Sequence, residues 1–170
     1  MEQAKSRSRI VTWDDPQAGL VASRQLSGLE YLQKLVRGDL PVPPFARLLN
    51  IAFLEVSQGR AVFAIEPSEE HYNAIGTVHG GVTATLCDSA LGCAVHSLSP
   101  AGAGYTTLDI QVRYVRPILA NTGRLTCVAT AVYAGRRIAT AEARVTDASG
   151  NLYAHASTSC LLFPSESAKG

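Results

Sequence analysis

The stretch His71 to His96, HYNAIGTVHGGVTATLCDSALGCAVH, decides how the rest of the chain is read. From Gly80 to Val95 it is apolar on every side except for one charge, Asp88. A helix formed there has no solvent face, which predicts that it is buried. Asp88 is then the anomaly. A buried carboxylate is costly unless it is paired, hydrogen-bonded or used, and the stretch contains no Lys or Arg to pair with it. Either a distant partner satisfies a structural acid, or the acid works, since perturbed acids cluster at functional sites.

The front of this helix is informative as well. His79-Gly80-Gly81 supplies none of the Ser, Asp or Asn expected at a helix start, although Thr77 lies close enough to help. First-turn N–H groups without a cap, at the positive end of a helix dipole, suit a carbonyl oxygen or an anion. Two glycines also remove the side chains that would block close approach, or simply make a tight turn into the helix. With the helix starting near Gly81, Asp88 returns to nearly the same face about 10 Å along the axis.

Outward from this helix the chain reads as strands. Upstream, Ile51–Val56, a Ser57-Gln58-Gly59 turn and Arg60–Ile65 form a hairpin. Downstream, Thr106, Leu108, Ile110, Val112 and Tyr114 alternate with Thr107, Asp109, Gln111, Arg113 and Val115. Leu125, Cys127, Ala129, Ala131 and Tyr133 alternate in the next strand, and Ala139, Ala141, Ala143 and Val145 in the one after. The last strand runs from Leu152 to Phe163. Two strands, a buried helix and four strands predict an α+β domain, an antiparallel sheet of six strands wrapped around one helix. Before it, Leu29, Leu32, Leu35 and Val36 sit at helical spacing, ended by Gly38 and a proline cluster, and predict a short amphipathic helix on the domain's surface. Residues 1–25 read as a polar arm, with Trp13 as its anchor. The expected division is an arm and short helix over 1–44, the main domain over 45–164 and a tail over 165–170.

A chain of 170 residues with 46% hydrophobic content and a net charge of +1 describes one globular domain. That charge recruits neither nucleic acid nor an anionic membrane. The four cysteines form no CxxC pair, and two lie in the apolar helix, so free thiols and no metal are expected. No signal peptide and no membrane-spanning run is visible, which makes cytoplasm the expected location.

The element order and central motif resemble the hotdog-fold acyl-CoA thioesterases of the phenylacetate-pathway (PaaI-like) type. The resemblance covers residues 40–163 and is carried by Asn73, Gly76, His79-Gly80-Gly81 and Asp88, with the Asn six residues before the His and the acid nine after it. It implies hydrolysis of an acyl-CoA thioester, with Asp88 as general base or nucleophile. Backbone N–H groups at Gly80 and Gly81 are the candidate donors that polarise the carbonyl, Gly80 favoured by the same resemblance, which also has Asn73 place the thioester or water. His79 acts as an acid or base or holds the turn. Acid and oxyanion donor then come from different subunits, so a homodimer or homotetramer is implied, with CoA as part of the substrate and no separate cofactor. In part of the family a Ser or Thr on the strand after the helix assists the water. Thr106 and Thr107 compete for that place because they face opposite ways, and matching TLDIQVRY to the family's strand favours Thr107, on the polar side with Asp109.

Arg113, Arg116, Arg136 and Arg137 lie at strand ends or a turn where coenzyme phosphates could be met. His71 and His96 read as structural. Relatives often have Pro where this chain has Ala74, a change that would loosen the loop holding Asn73. Two other readings stand beside hydrolysis. A hotdog dehydratase or hydratase needs an acid fourteen residues after its His, and from His71 that position is Thr85. A non-catalytic acyl-CoA binding protein shares the fold, and a carboxylate in a dry helix is expected to separate the two.

Overall fold

The alternation of small apolar residues with polar ones builds the sheet as expected. The computed structural model describes residues 6–163. Six strands follow the order β1 (Ile51–Ser57), β2 (Arg60–Ile65), β3 (Gly104–Tyr114), β4 (Leu125–Ala134), β5 (Ile138–Thr146) and β6 (Leu152–Phe163) along the chain. All pair antiparallel, in the spatial order β1-β2-β4-β5-β6-β3. Among the described residues four α-helices, α1 (Gln17–Gln25), α2 (Gly28–Arg37), α3 (Pro44–Leu48) and α4 (Gly80–His96), and one 3-10 turn (Glu69–His71) accompany them. The long α4 lies against the inner face of the sheet.

That inner face is unusually small in volume. Leu125, Cys127 and Ala129 of β4, Ala139, Ala141, Ala143 and Val145 of β5, and Ala154, Ala156 and Cys160 of β6 are all buried against the helix side. α4 answers with Leu86, Cys87, Ala90, Leu91, Ala94 and Val95. Small residues on both partners let the backbones approach closely, so burial comes from proximity rather than from large side chains. Cys87, Cys93, Cys127 and Cys160 are free, as the spacing predicts. Among the described residues no helix is long and apolar enough to cross a membrane, and no group of His, Cys, Asp or Glu is arranged to hold a metal.

Among the described residues the register shifts at four places in the sheet, and two of these shifts, β-bulges in β3 and β4, correct the simple alternation. In β3, Thr107 faces Cys160 and Asp109 faces Ser159, so Leu108 is an extra residue and is 55% exposed. In β4 the register slips between Ala131 and Tyr133, which turns Tyr133 outward to 60% exposure. A bulge places two residues opposite one, so every residue beyond it changes face relative to strict alternation.

The N-terminal region also differs from the expectation. Residues 17–25, read as part of an arm, form α1. Trp13 is 60% exposed and does not anchor the segment; Arg9 does, bonding Glu70 and the Leu48 carbonyl. Residues 1–5 and the expected tail lie outside the described residues. The α2 helix opens on a capping box, in which Ser27 and Glu30 satisfy each other's backbone N–H groups, and closes on Gly38 in the left-handed region. It is more than a surface helix: Leu32 and Leu35 are buried.

Gly28 joins α2 to the end of α4. Its N–H donates to the Ser99 carbonyl at 3.0 Å, and a Cβ there would stand 1.8 Å from the His96 carbonyl oxygen. Backbone cannot yield as a side-chain tip can. Gly28→Ala is expected to cost more than the ~1–3 kcal/mol typical of overpacking, whereas Gly38→Ala, strained at φ 79° but with nothing within 4 Å, should cost about 1 kcal/mol. Thermal melts of the two variants check this; equal losses would contradict the backbone contact.

Candidate active site

The α4 helix is not buried all round. Gly81 and Asp88 are exposed and Thr85 and Ser89 half-buried, on one stripe spaced four, three and one residues apart. This overturns the expectation of a carboxylate in a dry helix: within one subunit Asp88 faces outward, because the sheet covers only part of the helix's circumference. Its partner is a hydroxyl rather than a cation. Thr107 Oγ1 donates to Asp88 Oδ1 at 2.9 Å.

Thr107 reaches Asp88 because of the bulge at Leu108. Before the bulge, Tyr105 and Thr107 face α4; after it, Ile110 and Val112 do, and Asp109 lies on the opposite face. Thr107 is therefore on the helix side, not on a polar side shared with Asp109. Thr106 points away and is exposed.

At the other end of the stripe, the helix start is capped after all. His79 is the N-cap, and its Nδ1 accepts from the Gly81 N–H at 2.9 Å. Thr77 does not cap the helix. Gly81 is thereby occupied, whereas the Gly80 N–H has no hydrogen-bond partner among the described residues. The neighbouring carbonyl is held: Tyr114 Oη donates to the Gly80 oxygen at 2.9 Å. A Cβ on Gly80 would lie 3.1 Å from the Tyr114 ring, so the glycine makes room for this contact. No feature of the sequence pointed to Tyr114.

Asn73 shapes the loop before the helix. Its Oδ1 accepts from the N–H groups of Ile75 and Thr77, and its Nδ2 donates to Thr77 Oγ1 at 2.9 Å. Gly76, at φ 80°, makes the reversal. His79 N–H donates to the His71 carbonyl and Val78 N–H to the Ile118 carbonyl, tying the loop's exit to the body. The Ala74 departure therefore leaves a loop held by side-chain bonds. His71 is buried, with Nδ1 accepting from the Ser68 N–H, and burial lowers its pKa. His96 is buried at the far end of α4.

The four arginines do not converge. Arg113 and Arg116 lie near the Tyr114 end of β3, bonded to Gln111 and to the Leu152 carbonyl. Arg136 and Arg137 sit in the β4–β5 turn, where the Arg137 carbonyl accepts from Leu162, the partner of Tyr105. About eight residues of strand separate the two pairs, ~27 Å at strand rise. One subunit cannot bring all four to one pyrophosphate.

Asp88 opens onto a cavity of about 770 Å³ walled by α2, α3, β1 and α4, with Phe63 of β2 and Tyr105 of β3. The thioesterase superfamily model matches residues 75–154, the segment that carries α4, Asp88 and Thr107. The phenylacetic acid degradation protein PaaI of Thermus thermophilus is 32% identical, with a TM-score of 0.64 over 70% of this chain and 98% of that one. The chain belongs to the thioesterase superfamily. Within it the chain is a hotdog protein of the phenylacetate-pathway type. A phenylacetic acid degradation-related protein from Ralstonia eutropha is 26% identical, with a TM-score of 0.69 over 77% of this chain and 98% of that one. Acyl-coenzyme A thioesterase 13 of Homo sapiens is 32% identical over 87 residues, 51% of this chain. The chain spans about three fifths, 61%, of the length of that curated relative.

Asn73 supplies a test of the loop. Removing its side chain takes the acceptor from two backbone donors, of which the Ile75 N–H is exposed and can turn to water, so Asn73→Ala should destabilise the protein by ~1–2 kcal/mol, while Asn73→Asp keeps the acceptor and should lose about half as much. Chemical denaturation of both variants measures the difference; equal losses would show that the acceptor is not what holds the loop.

Proposed function

We propose that the chain hydrolyses acyl-CoA thioesters as a homodimer, with Asp88 as the catalytic carboxylate. The observation that carries this is a carboxylate held by the Thr107 hydroxyl at the edge of a cavity large enough for an acyl group. Thr107 fixes one carboxylate oxygen and leaves the other to meet a water or the thioester carbon. As a base, Asp88 takes a proton from water as the water oxygen bonds the carbonyl carbon. The tetrahedral intermediate then expels the CoA thiolate, to which the proton returns. As a nucleophile, Asp88 would instead attack the carbonyl carbon and displace the CoA thiolate, giving an acyl anhydride that water opens to the free acid and the Asp88 carboxylate.

The developing oxyanion needs donors, each worth about 3 kcal/mol. Gly80 N–H is the available one, yet it cannot serve the Asp88 of its own subunit. Eight residues of helix separate them, ~12 Å, too far for both to reach one carbonyl. This distance supports a site built from two copies, each Asp88 working with the partner subunit's Gly80. The β3 strand is an eleven-residue unpaired edge with exposed Leu108 and Tyr114, and an open edge of that length is expected to be covered. Arg113 and Arg116, near the Gly80 end, are the arginines best placed for the coenzyme. Arg136 and Arg137 would have to serve another subunit.

A non-catalytic acyl-CoA binding protein can no longer be set aside by the burial of Asp88, since the acid is exposed. Chemistry separates the two. Asp88→Asn keeps the shape and can still accept from Thr107, and turnover should fall ~10²- to 10⁴-fold with acyl-CoA affinity retained. Unchanged hydrolysis in a folded Asp88→Asn dimer would end this mechanism.

Gly80 allows a cleaner test than most oxyanion donors. It is the first helical residue, where proline is well tolerated, so Gly80→Pro removes the N–H without breaking the helix. Gly80→Ala adds a Cβ and keeps the N–H. Turnover of the Pro variant should lie ~10²-fold or more below that of the Ala variant. Similar rates would exclude Gly80 as the donor, and an active monomer in sedimentation would exclude the shared site.

A further inference from the structure

The cavity at Asp88 has a direction. Its α4 wall is Thr85, Asp88, Ser89, Cys93 and His96, one helix stripe. From Asp88 to His96 is eight residues, ~12 Å along the helix. An extended chain of tetrahedral atoms advances about 1.2 Å per bond, so roughly ten bonds connect a thioester at Asp88 to the His96 end.

The far end is not apolar. His96 is 8% exposed and lines the cavity, and neither ring nitrogen has a hydrogen bond among the described residues. Its Nδ1 is buried against the start of α2, 3.2 Å from where a Gly28 side chain would begin, which leaves Nε2 as the ring nitrogen a ligand can meet. Tyr105 also lines the cavity, its ring 5.2 Å from that of His96, and its hydroxyl has no hydrogen bond among the described residues. Gly92 makes room for that hydroxyl, since a Cβ there would lie 2.5 Å from it. Tyr31 of α2 closes the end, edge-on to His96 at 5.9 Å. Burial lowers the pKa of His96 and raises that of Tyr105 well above the usual range, so both are neutral at pH 7. Each can then give or take a hydrogen bond. Unpaired polar groups in a cavity wall are left to water or to a ligand, and an apolar chain that displaced the water without replacing its hydrogen bonds would bind less well. A carboxylate buried there would need a cation, which these two neutral groups do not supply; the arginines that line the cavity, Arg37 and Arg47, lie in the last turn of α2 and on α3. Arg37 is paired with Asp39.

We propose that His96 and Tyr105 are specificity-determining residues, selecting acyl groups that carry an uncharged hydrogen-bonding group, a hydroxyl or ketone, about ten carbons from the thioester. The inference rests on the thioesterase reading. It places the selecting end where α2, which lies outside the residues matched by the family model, meets the core.

The experiment compares kcat/KM for 10-hydroxydecanoyl-CoA and decanoyl-CoA in the wild type, Tyr105→Phe and His96→Phe. Butyryl-CoA, too short to reach His96, is included. The hydroxylated substrate should be preferred at least tenfold, and Tyr105→Phe, which removes one oxygen, should reduce that ratio at least threefold. A ratio is insensitive to the fraction of folded protein. A wild-type ratio near one, with butyryl-CoA hydrolysed, overturns this inference and leaves the thioesterase reading intact. A ratio unchanged in both variants overturns it as well. If no thioester is hydrolysed, the thioesterase reading fails, and calorimetric titration with the two free acids decides: equal affinity for 10-hydroxydecanoate and decanoate overturns the selectivity too.

Discussion

The close approach of α4 to the sheet is the constraint on which the rest depends. Ala90 and Ala94 meet strands whose inner faces are mostly alanine and cysteine. With so little side chain between them, the helix sits deep in the curve of the sheet. Its opposite stripe cannot be covered by the same sheet. On that uncovered side Thr85, Asp88 and Ser89 line the cavity, and Gly81 is exposed at the helix start. Enlarging an inner-face alanine would move the helix, and with it the carboxylate.

Most of the architecture was legible because each strand carries a period of two and α4 an unbroken apolar run. The position of Asp88 was legible as an anomaly, but its environment was misread. Counting apolar residues concealed that Gly81, Thr85, Asp88 and Ser89 recur at helical spacing, which is the signature of a face left uncovered. A helix of small residues has little contrast between its faces, so composition alone reads it as buried all round.

The other misreadings share a cause: local choices settled by neighbours distant in sequence. The bulge at Leu108 brings Thr107 to Asp88, and no turn residue or break in alternation announces it. His79 caps its own helix with a ring nitrogen, outside the usual set of capping side chains. Asn73 stands out only through the family resemblance, and its hydrogen bonds run within its own loop. Tyr114 and the arginines depend on where strand ends fall in space. Periodicity reports which face a residue occupies and says little about what it meets there.

The attachment of α2 separates two properties that usually travel together. The acid, its threonine and the helix start all lie within the stretch shared with the superfamily, whereas one wall of the cavity comes from a helix before it, joined to the core through the contact of Gly28 with the end of α4. Chains alike over the shared stretch can therefore share a reaction and differ in diet. A change in this ten-residue helix would reshape one wall of the cavity and leave the stretch that holds Asp88 and Thr107 as it is.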